Sequence, residues 1–192
     1  MAIRQAVPPS GRPETRRRNA RTWFVSIAAT VVSTYALDAT ATAAGIGLVA
    51  SGLFADASRA WAVAVLVASY VGWGFGLRAN VRANGMLLAT TGTSTNVLSK
   101  AAHDLTRRLT DSDRAPRRAA AIGYLGAELI KEAPYYLGAF GVAAFSTSVS
   151  SHHAIVFLAG TNVGAMLYEY GLARLTRVAL RRRWPAERLA AE

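Results

Sequence analysis

Residues 23–54 read WFVSIAATVVSTYALDATATAAGIGLVASGLF, and this stretch decides the fold. Its 32 residues contain one charged side chain, Asp38. A helix of this length measures about 48 Å, whereas the hydrocarbon core of a bilayer is about 30 Å thick. The stretch therefore predicts a membrane-spanning helix that is longer than one simple span requires.

A secretory signal peptide is the alternative interpretation of the same region. Residues 16–37 have a basic start followed by an apolar segment, and the small residues 39–41 would suit a cleavage site. The apolar run nevertheless continues through Gly45 and Leu53 without becoming polar. We therefore prefer a retained spanning helix.

The cations of the chain fall into three blocks. Of 22 Lys and Arg residues, 20 lie within residues 1–21, 78–118 and 174–192, and the exceptions are Arg59 and Lys131. Basic residues that flank membrane segments stay on the cytoplasmic side. Three basic blocks separated by two apolar regions predict four crossings of the cell (inner) membrane, with the N-terminus and the C-terminus in the cytoplasm.

The predicted fold class is all-α. It is a polytopic membrane protein with a four-helix transmembrane bundle of two antiparallel hairpins and cytoplasmic helical extensions. The predicted segments are a disordered basic cytoplasmic tail (1–21), a transmembrane helical domain (22–184) with spans at 23–54, 60–77, 119–146 and 154–172, and a short tail (185–192).

An amphipathic cytoplasmic helix is predicted at residues 95–110, after a Thr/Ser-rich start that can cap it. It would lie on the inner membrane surface or, as an alternative, pack against the bundle as a solvated helix. Its predicted apolar face consists of Val97, Leu98, Ala101, Ala102, Leu105 and Leu109, and its polar face of Lys100, Asp104, Arg107 and Arg108.

Composition restricts the partners. The net charge of +11 is explained first by membrane topology and by attraction to anionic inner-leaflet lipids, so we expect the lipid bilayer, and not nucleic acid, as the partner. The spacings Gly72/Gly76 and Gly160/Gly164 suit helix packing within the bundle, with homo-oligomerisation as the alternative. The 20 Arg against 2 Lys are typical of a GC-rich bacterial genome.

No catalytic, metal or cofactor signature is present in the sequence. There is no cysteine, and the adjacent His152 and His153 have no carboxylate nearby in sequence to complete a metal site. We therefore assign no catalytic residue, no metal and no cofactor, and an enzyme is the less favoured class.

Charged residues inside the predicted spans are the candidate site. Counting back from the two outer turns places Asp38 level with Arg78, and Lys131 level with Glu169, near the inner edge of the membrane. This predicts two ion pairs, Asp38–Arg78 and Lys131–Glu169. The other candidates are Glu128 and Glu132, which add surplus acid, Arg82, and the hydroxyl stripe of Thr30 and Thr34.

These residues support three functional hypotheses. The leading one is a small transporter, channel-like or membrane accessory protein in which Asp38, with Arg78 and the Thr30–Thr34 stripe, borders a cytoplasm-facing polar cavity. The alternative is a structural envelope protein whose charges are buried ion pairs. The third is a membrane enzyme that acts on lipid phosphates. A water-filled cavity at the charged layer would favour transport, whereas buried ion pairs without access to water would favour a scaffold.

Overall fold

The structure is a computed structural model that describes residues 13–112, 114–145 and 149–183. The described residues form helices and connecting segments without any strand, which confirms the all-α class for this part of the chain. The helices are α1 (Pro13–Ala50), α2 (Arg59–Thr91), α3 (Val97–Leu109), α4 (Arg114–Phe145) and α5 (Val149–Arg183).

Several helices begin earlier than the sequence predicted. α1 starts at Pro13, inside the segment predicted as a tail, and proline is well tolerated in the first turn of a helix. α4 starts at Arg114, and α5 starts at Val149, within the predicted second outer turn. Residues 1–12 of the predicted N-terminal tail, the predicted C-terminal tail (185–192), residue 184 before it and residues 146–148 of that turn lie outside the described residues.

Caps define the ends of α2 and the start of α3. Ser58 Oγ accepts a hydrogen bond from the Trp61 amide at 3.3 Å, and Gly92 ends α2 with φ 70°, a left-handed conformation that glycine adopts without strain. The α3 cap is Asn96, whose Oδ1 accepts from the Ser99 amide at 3.0 Å. The predicted Thr/Ser cap just before it is part of the connecting loop instead.

α5 lies at the centre of the bundle and contacts α1, α2 and α4. It runs antiparallel to α1, because Tyr168 bonds to Ser33 at 3.1 Å while the space beside Gly45 is filled by Phe157. It runs parallel to α2, because Ser69 meets Asn162 at 3.1 Å and the α2 residues further along meet later α5 residues. α4 runs in the same direction as α1.

The predicted α1–α2 hairpin is connected as expected but is not packed as expected. The two helices run in opposite directions, yet among the described residues they make almost no contact with each other. α5 separates them, because its small residues allow both neighbours to approach closely. Residues at equal depth on α1 and α2 are therefore not side by side.

Glycines on α5 explain this close approach. A Cβ atom at Gly164 would lie 2.7 Å from the Thr40 carbonyl oxygen, and one at Gly160 would lie 2.7 Å from the Gly45 Cα. On the other side, a Cβ at Gly76 of α2 would lie 3.0 Å from the Met166 carbonyl oxygen. These glycines are used for contacts within the chain, as the packing interpretation of the two GxxxG spacings predicted.

Within the described residues, two helices are long and apolar enough to cross a membrane, over Arg17–Ala50 and Arg59–Thr91. The core helix of a soluble protein would bury its apolar side chains, but α1 leaves Phe24 74% and Val32 68% exposed. On α2, Val67 is 57% exposed in the same way. These outward-facing apolar side chains suit a lipid environment.

Candidate functional site

A buried polar triad joins three helices at the level of the predicted charged layer. Glu169 on α5 and Asn80 on α2 are each 1% exposed. The Asn80 side-chain amide donates one hydrogen bond to Glu169 Oε2 and another to the Tyr124 hydroxyl of α4, at 2.7 Å. Asn80 thereby uses both of its amide hydrogens. The direct partner of the Glu169 carboxylate is therefore a hydrogen-bond donor and not a cation.

Lys131 pairs with Glu128 instead of the predicted Glu169. Its Nζ lies 3.2 Å from Glu128 Oε2, one turn earlier on α4. Side chains three residues apart on a helix are neighbours, so this pair forms within α4 without help from α5. Glu169 is still within electrostatic range of Lys131, although Asn80 supplies its direct contact.

The predicted Asp38–Arg78 pair does not form among the described residues. Arg78 is exposed and Asp38 is half-buried, and no ion-pair contact within 4 Å joins them in this part of the chain. The reason is the position of α5 between α1 and α2. Asp38 instead lies within electrostatic range of Glu132 on α4.

The charged layer therefore carries more acid than base. Asp38, Glu128, Glu132 and Glu169 interact electrostatically with one another or through a shared neighbour, and Lys131 is the cation among them. Neither Arg78 nor Arg82 forms an ion pair with these carboxylates among the described residues.

A cavity of about 480 Å³ opens beside this layer, between α2, α4 and α5. Its wall is almost entirely apolar, and Glu132 supplies a carboxylate. Arg59 borders it at the opposite end, since α2 rises about 21 Å from Arg59 to Trp73. The remaining lining residues are Val63, Leu66, Val67, Tyr70, Leu129, Ala133, Tyr136, Ile155 and Leu158.

Three aromatic rings form one part of the cavity wall. The Tyr70 ring centroid lies 5.5 Å from that of Trp73 and 5.5 Å from that of Tyr136. Tyr136 is held in place because its hydroxyl donates to Asn162 Oδ1, and Asn162 in turn donates to Ser69 Oγ at 3.1 Å. The wall is therefore fixed before any ligand enters.

Trp73 also carries a buried hydrogen-bond donor that is not used. Among the described residues, its Nε1 is the buried side-chain nitrogen or oxygen that has no hydrogen-bond partner. An unpaired buried N–H costs about 1–3 kcal/mol.

The hydroxyl stripe of α1 makes local bonds. Thr30 Oγ1 donates to the Ser26 carbonyl oxygen at 2.7 Å, and Thr34 is half-buried. Neither the cavity bordered by Glu132 nor four other cavities among the described residues are lined by Thr30, Thr34, Asp38 or Arg78. The polar cavity beside Asp38 stays a prediction.

A second polar cluster, which sequence reasoning did not assign, joins α1 to α4 one turn further along α2 from Asn80. Asn84 of α2 accepts from Ser94 Oγ at 2.8 Å and donates to Ser99 Oγ at 2.9 Å. Ser99 donates to the Ala120 carbonyl oxygen at 2.8 Å, and Ser26 Oγ accepts from the Ser94 amide at 3.0 Å. The unusual sequence TGTSTN at residues 91–96 therefore forms a structural junction.

Lys100 in α3 is buried, contrary to its predicted place on a solvated face. It is 3% exposed, and its Nζ lies 2.8 Å from the Gly92 carbonyl oxygen and 3.0 Å from Asp104 Oδ2. It also lies 5.1 Å from the ring centroid of Trp23 on α1. Three leucines of the predicted apolar face of α3 are exposed, namely Leu98, Leu105 and Leu109.

Four arginines border a separate cavity of about 570 Å³ near the junction. They come from three helices, and none of the lining residues is acidic. Arg177 Nη2 reaches the Ala79 carbonyl oxygen at 3.5 Å. The lining residues are Arg82, Gly85, Met86, Ala89, Arg117, Arg177, Leu180 and Arg181.

Comparisons with known proteins do not supply a function. No protein-family model matches the chain, and neither a curated protein nor a solved structure is significantly similar to it. Among the described residues, no group of three or more His, Asp or Glu side chains is arranged to hold a metal ion.

Proposed function

We propose that the protein crosses the cell membrane four times with both termini in the cytoplasm. Beyond α1 and α2, large apolar side chains also point outward on α4, where Ile130 is 73% exposed, and on α5, where Leu167 is 60% exposed. Arginines of α2, α4 and α5 converge on one cavity at the end of the bundle where α3 lies. One common basic end supports a common cytoplasmic side.

Within this topology, we propose that the protein is a small transporter-like protein that binds a positively charged amphipathic solute. The observation that carries the proposal is the position of Glu132, which lines an apolar cavity next to a layer with surplus acid. Cavities of about 300–1,000 Å³ are typical of small-molecule sites. Glu132 favours a positively charged group at its end of the cavity, whereas Arg59 borders the opposite end, about 21 Å along α2.

The aromatic wall favours the same class of ligand. The faces of Tyr and Trp rings attract cations, and the attraction reaches about 2 kcal/mol when the site excludes water. Tyr70, Trp73 and Tyr136 supply three rings beside Glu132. A hydrophobic amine or quaternary ammonium ion would gain from the apolar wall, the rings and the carboxylate together.

A scaffold is the second candidate, and the sealed triad favours it. Glu169, Asn80 and Tyr124 are buried and mutually hydrogen-bonded, so this part of the layer has a structural role. The two proposals concern different glutamates. Glu169 is buried and hydrogen-bonded, so its replacement should affect stability, whereas Glu132 borders the cavity, so its replacement should affect ligand binding.

The test uses the purified full chain in lipid nanodiscs and radiolabelled tetraphenylphosphonium as the probe cation. We expect saturable binding that weakens at least about 10-fold in Glu132→Gln, equivalent to about 1.4 kcal/mol. Asp56→Asn, which removes one exposed carboxylate that does not line the cavity, is the control and should bind as wild type.

Two results would contradict this proposal. Equal binding by Glu132→Gln and wild type would remove Glu132 from the site. Tighter binding of the anion tetraphenylborate, after subtraction of its binding to empty nanodiscs, would reverse the assigned charge. Uptake of the probe into liposomes with and without the protein then separates the alternatives. Binding together with uptake faster than into protein-free liposomes supports a transporter, whereas binding without faster uptake contradicts the transport part of the proposal.

A further inference from the structure

We infer that the arginine-lined cavity between α2, α4 and α5 is a binding site for the phosphate headgroup of an anionic phospholipid. The inference is independent of the solute proposed above, because this cavity shares no lining residue with the Glu132 cavity.

The first argument is convergence. Arg82 comes from α2, Arg117 from α4, and Arg177 with Arg181 from α5. Exposed arginines are usually spread apart by repulsion and solvated singly, but here three separate helices direct them to one concavity of about 570 Å³. Arginine binds phosphate through two parallel N–H donors, so a concavity lined by arginines suits a phosphate group.

The second argument is the lack of counterions for three of these arginines. Among the described residues, no carboxylate forms an ion pair with Arg82, Arg177 or Arg181. Two acids of the charged layer have other partners, since Glu128 pairs with Lys131 and Glu169 with Asn80. The charge of an anionic ligand would compensate these three cations.

The third argument distinguishes a lipid from a free phosphate. The cavity floor is apolar and includes Met86, Ala89 and Leu180, of which Leu180 is buried. A free phosphate gains nothing from such a floor, whereas the glycerol and upper acyl carbons of a phospholipid would pack on it. Arg82 also follows the Asn80 layer by half a turn, which places the cavity near the membrane–water boundary of a spanning α2.

The experiment measures lipid retention by the full chain with native mass spectrometry. The protein is purified in detergent and titrated with cardiolipin, phosphatidylglycerol or phosphatidylcholine. We expect the two anionic lipids to bind at least about 10-fold more tightly than phosphatidylcholine, since each basic residue near an anionic surface contributes measurably to binding. Inorganic phosphate is added as a competitor.

Two double variants make the test specific. Arg82→Gln with Arg181→Gln removes two cations from the cavity, whereas Arg78→Gln with Arg183→Gln removes two exposed cations from the same helices outside it. We expect a loss of anionic-lipid affinity of at least about 10-fold in the first variant and of less than about 3-fold in the second. All four side chains are exposed, so thermal unfolding with phosphatidylcholine should match wild type.

Each contrary outcome overturns the inference. Equal losses in the two double variants would mean that general surface charge, and not this cavity, attracts the lipid. Displacement of the lipid by millimolar inorganic phosphate would make the site a soluble-phosphate site. Equal retention of phosphatidylcholine would remove the headgroup charge from the explanation.

Discussion

Asn80 on α2 holds the carboxylate of Glu169 on α5, and the same amide nitrogen lies 2.7 Å from the Tyr124 hydroxyl on α4. One neutral side chain thus fixes an acidic side chain that has no cation in direct contact. A buried charged group without a hydrogen bond would be far more costly, so Asn80 is essential to the layer.

Replacement of this amide should destabilise the protein. Asn80→Ala leaves Glu169 and Tyr124 without their donor, and a stranded buried polar group costs about 1–3 kcal/mol or more when it is charged. We expect a lower Tm in detergent, whereas Asn19→Ala, at an exposed position of α1, should leave the Tm unchanged. An unchanged Tm for Asn80→Ala would mean that the triad does not form.

The contact between α5 and α1 gives a second prediction. Gly164→Ala places a methyl group 2.7 Å from the Thr40 carbonyl oxygen, and overpacking of this kind costs about 1–3 kcal/mol. Gly171→Ala, on the same helix, meets nothing within 4 Å and should be neutral or stabilising by up to about 1 kcal/mol. Thermal unfolding compares them, and equal Tm values would argue against α5 lying against α1.

The junction at residues 91–96 gives a third prediction. Asn84→Ala removes the acceptor of Ser94 and the donor to Ser99, so α3 should detach before the bundle unfolds. Hydrogen–deuterium exchange over residues 92–100 should rise while exchange in the middle of α5 stays unchanged. Thr106→Ala, further along α3, is the control. Equal protection in wild type and Asn84→Ala would contradict the structural role of the junction.

The sequence predicted the helices well because their signals are local. The apolar length of α1 and α2 and the amphipathic pattern of α3 can each be read from consecutive residues. Which helix lies beside which is not a local property. The depth count assumed that a tight turn makes α1 and α2 neighbours, whereas Gly160 and Gly164 allow α5 to lie between them.

The candidate site was predicted in part for the same reason. The sequence assigned Asp38, Glu128, Lys131, Glu132 and Glu169 to one layer, and these residues interact in the structure. It missed Asn80 and Tyr124, since an asparagine beside two arginines reads as part of a polar helix end. The cavity wall of Tyr70, Trp73 and Tyr136 combines residues of two helices whose facing sides depend on packing.

The contact of Lys131 gives a fourth prediction. A double-mutant cycle on Glu128→Gln and Lys131→Met should show a coupling free energy of about 0.5–3 kcal/mol, because the two charged atoms are 3.2 Å apart. A parallel cycle on Glu169→Gln and Lys131→Met should show a smaller coupling, since Asn80 makes the direct contact with Glu169. A larger coupling in the second cycle would support the Lys131–Glu169 pair that was predicted from the depth count.

Topology gives the fifth prediction, and it distinguishes a spanning α1 from a cleaved signal. Reporter fusions after residues 57, 110, 151 and 192 should report outside, inside, outside and inside, because the basic blocks flank residue 110 and precede residue 192. An N-terminal epitope tag should also remain on the mature chain. An outside signal at residue 110 would contradict the four-span arrangement. Loss of the tag would instead show cleavage within α1. Such cleavage would contradict the structure, because Ser26 contacts Ser94 and Ser33 contacts Tyr168. Both contacts require the first half of α1 in the folded protein.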